Sequence, residues 1–264
     1  DAALRRVMDG DLSPTPLARA AFAAEELARS GAAQVLSLAA GYDTVGYDSG
    51  LPVFDVDRPE VLADKQARLE RAGLMTDDLR LVPADLSQQG WAAQVTAAGF
   101  DTGKTTLCAV MGLSYYLTEA EMALLLREAS SLLSCGSRMA LDVPIDAQRC
   151  QGALAAQAGE AMKAVYDSNI LGRMARSCGL RLASYLSPQE IQMRFFDPHN
   201  AEAPHVRRCG LLRADTRIRQ ENAGHPPCIF YLMYSQRSHA VHDDPASQLG
   251  HLLRRFLHTA GEPL

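Results

Sequence analysis

Two aspartates in this chain follow short apolar runs, and their chemistry suits a polar ligand. Asp57 closes Val53-Phe54-Asp55-Val56-Asp57, and Asp85 follows Leu79-Arg80-Leu81-Val82-Pro83. A carboxylate at a strand end can accept hydrogen bonds from both hydroxyls of a ribose. Asp85 can accept from an exocyclic adenine amine while the Leu86 backbone N–H serves a ring nitrogen. Local readings compete with these: Asp57 can cap the helix that Pro59 opens, and Asp85 can close an ordinary turn. Ala39-Ala40-Gly41, followed by Asp43-Thr44, is a small-residue turn that lets a backbone approach a ligand closely. It is not G-x-G-x-x-G, and Gly46 and Gly50 follow in place of a clean helix start, so a phosphate-cradling dinucleotide loop is disfavoured. Met111-Gly112 ends a fourth apolar run, with Tyr115 and Tyr116 just beyond. A tyrosine face attracts cations, although aromatic side chains mostly serve as apolar mass.

The elements that must position these residues are legible around them. Gln34 to Leu38, Val53 to Asp57, Leu79 to Pro83, Thr106 to Val110 and Arg138 to Val143 read as short strands. Helical spacing covers Leu17 to Arg29 and Pro59 to Arg71, with Pro59 in a first turn where its missing N–H costs nothing. A further helix starts at Thr118, with Glu121 three residues after the cap, and runs to about Leu133. This alternation predicts an α/β fold: a doubly wound, Rossmann-like, mostly parallel sheet of about seven strands with helices on both faces. Such sheets bind ligands outside the carboxyl ends of their strands, where Gly41, Asp57, Asp85 and Met111 all fall.

The second half carries helical patterns at 151–164 and 167–177, a strand at Leu180 to Tyr185 and a helix from Ser187 to about Phe196. Cys228 to Tyr234 is the candidate final strand, and Leu249, Leu252, Leu253, Phe256 and Leu257 mark a C-terminal amphipathic helix. With no repeat or linker, a single domain over 1–264 is expected. It comprises a helical segment at 1–31, a ligand-binding half at 32–145 and a substrate-side half at 146–264.

Composition excludes several classes. At 47% hydrophobic and 22% charged, the 264 residues are those of a folded globular protein. The 26 basic and 31 acidic residues leave a net charge of −5, unsuited to nucleic acid or an anionic membrane. No run approaches the roughly 20 apolar residues of a membrane helix. The chain opens on Asp1 rather than Met, so the sequence leaves the question of a leader open. Six cysteines without a CxxC pattern predict buried free thiols and a reducing, cytoplasmic setting.

All seven histidines lie after residue 198. His239, His242, Asp243 and Asp244 superficially suggest a metal site but lack a third ligand at meaningful spacing, so no metal is expected. His199 or His205 is a candidate lone base. Arg207, Arg208, Arg213, Arg217 and Arg219 can engage a carboxylate or a carrier-protein phosphate, with a charged edge strand as the favoured reading.

Four segments in order resemble a known family: Gln34 to Thr44 (QVLSLAAGYDT), Val53 to Lys65 (VFDVDRPEVLADK), Leu81 to Trp91 (LVPADLSQQGW) and Thr106 to Thr118 (TLCAVMGLSYYLT). They are similar to successive motifs of the leucine carboxyl methyltransferase-like family, class I methyltransferases that use S-adenosylmethionine (SAM). Asp43-Thr44 and Asp57 to Val61 are the most specific parts. The resemblance implies that Ala39, Ala40 and Gly41, with Asp43 and Thr44, lie under the methionine part of the cofactor. It implies that Asp57, with Arg58 beside it, binds the ribose, and that Asp85 with Leu86 binds adenine. Met111 and Gly112 fall near the amino group. Tyr115 and Tyr116 are the candidate catalytic residues, offering a ring face to the sulfonium, and Tyr116 matches a family aromatic position. Three departures stand out: Ala39 replaces the first glycine of Gly-x-Gly, Val45 stands where Arg is common, and Met111 replaces a Glu near the amino group.

What the resemblance implies is an enzyme in which a substrate oxygen attacks the SAM methyl carbon in line with the departing sulfur. The protein supplies alignment and desolvation. O-methylation of a small molecule or carboxylate is the leading expectation, and a carboxylate needs no general base. The missing Glu keeps a second reaction open, in which the amino nitrogen attacks the cofactor's own γ-carbon to give azetidine-2-carboxylate and methylthioadenosine. A non-catalytic SAM-binding protein is the third reading. The expected partners are a small-molecule substrate or SAM alone, with a carrier protein or a homodimer as further options. Arg5, Arg6 and Arg19 are candidate clamps for the cofactor carboxylate.

Overall fold

A computed structural model describes residues 14–144, 163, 166, 168–197 and 209–216. Its strands are β1 (Gln34–Leu38), β2 (Val53–Asp57), β3 (Leu79–Pro83), β4 (Thr106–Val110), β5 (Arg138–Pro144), β6 (Leu180–Leu186) and β7 (Cys209–Thr216). The helices are α1 (Pro14–Ser30), α2 (Pro59–Ala72), α3 (Trp91–Ala97), α4 (Glu119–Leu132), α5 (Ser168–Ser177) and α6 (Pro188–Phe195). A 3-10 turn spans Ser114–Tyr116.

The strands form one sheet in the order β3-β2-β1-β4-β5-β7-β6. β1 to β5 run parallel, whereas β7 is antiparallel to both of its neighbours. Apolar runs suit this sheet because both faces are covered. Leu36 and Leu38 share one core with Trp91 and Val95 of α3, Met122 and Leu125 of α4, and Leu171 of α5. On the other face, Leu107 and Ala140 pack with Ala18 and Phe22 of α1 and Ile191 of α6. Val35 and Val53 pack there against Leu69 of α2. The doubly wound expectation is met, and so is the cap at Thr118, whose side chain and that of Glu121 exchange hydrogen bonds with each other's backbone N–H.

Three local expectations need correction or completion. Residues 39–52 join β1 to β2 through turns with no α-helix, the arrangement that Gly46 and Gly50 foreshadow. α3 is an additional short helix. The charged edge strand expected over Arg207–Arg219 is a strand, β7, but it lies inside the sheet between β5 and β6. Its Arg213 is accommodated by partners from elsewhere: Nη1 lies 3.8 Å from the buried Glu26 carboxylate of α1, and Nε 3.2 Å from Asp215. Arg138 Nη1 also donates to Glu26, at 3.2 Å.

Arg207, Arg208, Arg217, Arg219, Arg5 and Arg6 lie outside the described residues, as do all seven histidines, the candidate strand Cys228 to Tyr234 and the C-terminal helix. Of the four described cysteines, Cys108 and Cys209 are buried as expected, Cys178 is half-buried and Cys135 is exposed. No helix among the described residues is long and apolar enough to cross a membrane, and among them no cluster of metal-ligating side chains occurs.

Candidate active site

The end of β1 is tied to the end of β2. The Ala40 N–H donates to the Val56 carbonyl at 3.2 Å, and the Gly41 N–H donates to Asp57 Oδ2 at 2.7 Å. Asp57 Oδ1 accepts from the Arg58 N–H at 2.8 Å. Two amides therefore orient a half-buried carboxylate, and its remaining lone pairs suffice for two hydroxyls. The capping alternative for Asp57 is corrected: the N-cap of α2 is Arg58, which makes no side-chain cap. The Arg58 guanidinium is exposed and pairs with Glu60 at 3.4 Å, so its tie to Asp57 is through the backbone. Ala39 has φ +54°, the left-handed region, the sole non-glycine residue there among those described. An L side chain in this region costs roughly 1–2 kcal/mol, which is the physical meaning of alanine in the family's glycine position.

Behind this turn lies a buried charged cluster that sequence reasoning does not single out. Lys65 of α2 places Nζ 2.6 Å from Asp55 Oδ2 and donates to the Asp43 carbonyl at 2.6 Å, both side chains of the ion pair being almost fully buried. Tyr47 donates to the same Asp55 oxygen at 2.5 Å, and its ring lies 5.4 Å from the ammonium. Burial pushes the Asp55 carboxyl above its ordinary pKa while Lys65 opposes the rise. Asp43 Oδ1 accepts from the Thr44 and Val45 N–H groups at 2.7 and 3.2 Å, so Asp43-Thr44 is a self-closed turn anchored from below by Lys65.

Asp85 lies exposed beyond β3. Its Oδ1 accepts from the Ser87 N–H and hydroxyl at 2.9 and 2.7 Å, and these bonds lower its pKa. The turn-acid reading thus holds for one oxygen, and the other remains a candidate acceptor for adenine. Leu86 beside it is buried in the core.

At the end of β4 the decisive partners come from distant elements. Val110 pairs with Leu141, which puts Met111 level with Asp142 of β5. Asp142 is fully buried, accepts from the Gly112 N–H at 2.6 Å with Oδ1, and lies 2.5 Å from Arg19 Nε of α1 with Oδ2. Its carbonyl accepts from the Ser114 hydroxyl at 2.6 Å. A Cβ at Gly112 would meet Arg19 Nη1 at 3.2 Å, so the guanidinium lies against the glycine. Burial, the largest single effect, works against the Arg19 charge, but Asp142 together with Tyr115 and Cys209 outweighs it and the net shift is upward. Arg19 also lies 5.0 Å over the Tyr115 ring. Tyr115 is buried, and burial, with Asp142 next, pushes its pKa up. Tyr116 is half-buried, its ring 6.4 Å from that of Tyr115. The Lys163 N–H, from beyond β5, donates to the Tyr115 carbonyl at 2.9 Å. Arg19, the one of the three candidate arginines that lies among the described residues, stands at these strand ends.

Asp57, the Ala39–Gly41 turn, Met111-Gly112 and Arg19 therefore gather at the carboxyl ends of β1, β2 and β4, the switch point where the strand order reverses, with Asp85 one strand further out. The sequence profile of the leucine carboxyl methyltransferase family matches residues 4–130. YktD of Bacillus subtilis (strain 168), whose name assigns it to the SAM-dependent methyltransferases, is 31% identical over 212 residues, 73% of this chain and 69% of that protein. This chain belongs to the leucine carboxyl methyltransferase family. A relative from Mycobacterium ulcerans (strain Agy99), assigned in the same way, is 37% identical over 123 residues, 45% of this chain and 39% of its own length. The chain thus spans about two thirds of one such relative and well under half of the other. Among solved structures, a DUF574 family protein from Streptomyces avermitilis superposes with TM-score 0.58 at 17% identity, covering 78% of this chain and 83% of that one. Magnesium protoporphyrin IX methyltransferase from Synechocystis, solved with S-adenosylhomocysteine (SAH), superposes with TM-score 0.54 at 13% identity, covering 78% and 84%. At these identities the structures share the class I methyltransferase fold. Family membership makes the protein a SAM-dependent methyltransferase with SAM as co-substrate.

Proposed function

We propose that this family member transfers the SAM methyl group to an oxygen of a small acceptor that arrives already ionised, a carboxylate above all. The observation carrying this reading is the state of the titratable groups at the ends of β4 and β5. Tyr115 is buried with a raised pKa and is neutral at physiological pH, and Asp142 is committed to Arg19 and the Gly112 N–H. Of the described residues at these two strand ends, neither is placed to take a proton from an alcohol, and a carboxylate needs none taken.

Asp57 takes the ribose hydroxyls, the outer oxygen of Asp85 and the Leu86 N–H take adenine, and the Ala39–Gly41 turn passes under the methionine part. Arg19 takes the SAM carboxylate, with a charge-assisted bond of about 1.5–3 kcal/mol. One face of the Tyr115 ring is covered by Arg19, and we assign the contact with the sulfonium to the half-buried Tyr116. The acceptor oxygen forms the new bond to the methyl carbon while the carbon–sulfur bond breaks, its electron pair staying on sulfur to give SAH.

Incubating the full chain with SAM and a panel of small carboxylic acids and alcohols tests this by mass spectrometry. SAH accompanied by a methyl ester is the expected result. Methylation confined to alcohols overturns the choice of acceptor. Methylthioadenosine formed from SAM alone overturns methyl transfer itself in favour of intramolecular cyclisation.

A further inference from the structure

We infer that Asp142 is a positioning residue that makes the site selective for the cofactor's carboxylate, acting through Arg19. The inference rests on the proposed role of Arg19 and adds a residue that touches no ligand. Three elements converge on one buried side chain. β5 presents Asp142 on the same face as Ala140, the face covered by α1. From α1, Arg19 brings Nε to 2.5 Å from Oδ2, and from the end of β4 the Gly112 N–H reaches Oδ1 at 2.6 Å. The two oxygens are thus used by different partners, and their separation fixes where the guanidinium stands relative to the β4 terminus.

An arginine side chain has several rotatable bonds and loses much freedom when it binds an anion. Here Asp142 restrains it at Nε, Tyr115 lies beneath the plane at 5.0 Å, and Gly112 gives it room, since a Cβ there would come within 3.2 Å of Nη1. The Nε edge faces Asp142 inside the protein, the side chain also interacts with Tyr115 and Cys209, and the outer N–H groups are the ones we assign to a ligand at the strand ends. With Met111 replacing the family's acid, the Arg19 contact gains weight, because the carboxylate rather than the ammonium becomes the group by which this site grips the amino-acid end.

A residue that merely held β5 to β4 would affect all nucleoside ligands alike. A residue that aims Arg19 affects only those bearing the carboxylate. The readout is therefore the ratio of affinities for SAH and for its decarboxylated analogue, measured calorimetrically on the full chain, wild type against Arg19→Gln, Asp142→Asn and Asp142→Glu. Wild type should favour SAH by about ten- to hundredfold, as expected for one charge-assisted contact. Arg19→Gln should bring the ratio to about one. Asp142→Asn, which keeps one acceptor but offers an N–H to a neighbouring donor, should lower it at least about fivefold through loss of SAH affinity while the analogue binds as before. Asp142→Glu keeps the charge, so it retains the fold if the asparagine variant does not, and its longer arm should lower the ratio in the same direction. An unchanged ratio in the folded Asp142 variants, with Arg19→Gln reduced, overturns this inference alone. An unchanged ratio in Arg19→Gln overturns the underlying role of Arg19.

Discussion

Replacing Lys65 by Met removes the cation of the cluster behind the Ala39–Gly41 turn while keeping most of the aliphatic stem. Asp55 would then be left with 1% side-chain exposure and, among its ion-pair and side-chain partners, the Tyr47 hydroxyl. Breaking a buried pair by removing one partner costs about 3–5 kcal/mol, because the surviving charge is stranded, and for a chain of this size that lowers Tm by roughly 6–20 °C. The pH dependence follows from Asp55, whose folded pKa is raised by burial against the opposing pull of Lys65. Losing Lys65 raises it further. A group whose folded pKa lies above its unfolded value contributes stability that is present below the unfolded pKa and lost as pH rises through the folded one. The deficit of Lys65→Met should therefore be small in acid and grow towards neutral pH. Urea unfolding of both proteins over that range measures it, and Lys65→Met/Asp55→Asn should recover at least half of the loss at neutral pH. A deficit under about 1 kcal/mol at neutral pH, or one flat across the range, refutes the reasoning.

Other outcomes are equally accessible. Ala39→Gly releases left-handed strain of roughly 1–2 kcal/mol against a backbone entropy cost of about 0.5–1 kcal/mol, so Tm should hold or rise slightly and SAM affinity should not fall; Ala39→Val should lose both. Asp57→Asn should weaken SAM binding by about ten- to hundredfold, seen by titration calorimetry, with an unchanged far-ultraviolet circular dichroism spectrum. Met111→Glu restores the acid at the end of β4 and should tighten SAM binding about tenfold at neutral pH; weaker binding would mean that the amino group lies elsewhere.

The sheet was legible because a parallel strand covered on both faces is written as a short apolar run, and β1 to β4 each end on a small residue, an acid or a turn. Pro59 in the first turn of α2 and the cap at Thr118 are equally local signals. α3 was not legible: it has seven residues, and its N-cap Gly90 makes no side-chain cap. β7 was obscured for a different reason, since Arg213 and Asp215 read as surface charge until Glu26 of α1 and Arg138 of β5 are brought alongside. The same distance in sequence hid the supporting chemistry. Asp57 and Asp85 stand at strand ends and announce themselves, whereas Asp142 is an acid inside an apolar strand whose meaning comes from Arg19 and Gly112. A lone aspartate in phase with Ala140 was the available clue, and Asp55, one turn of the pleat before Asp57, was its counterpart for Lys65.

The Gly41 and Arg58 amides hold the Asp57 carboxylate in its plane before any nucleoside arrives. Its rotation is restrained in advance, so a sugar docking there, as proposed, would incur little further entropy cost at that group. Such a rigid acceptor does not swing to follow a missing or inverted hydroxyl. With Asp57 in its proposed role, the stereochemistry of the sugar would be read by a carboxylate already oriented from within the protein.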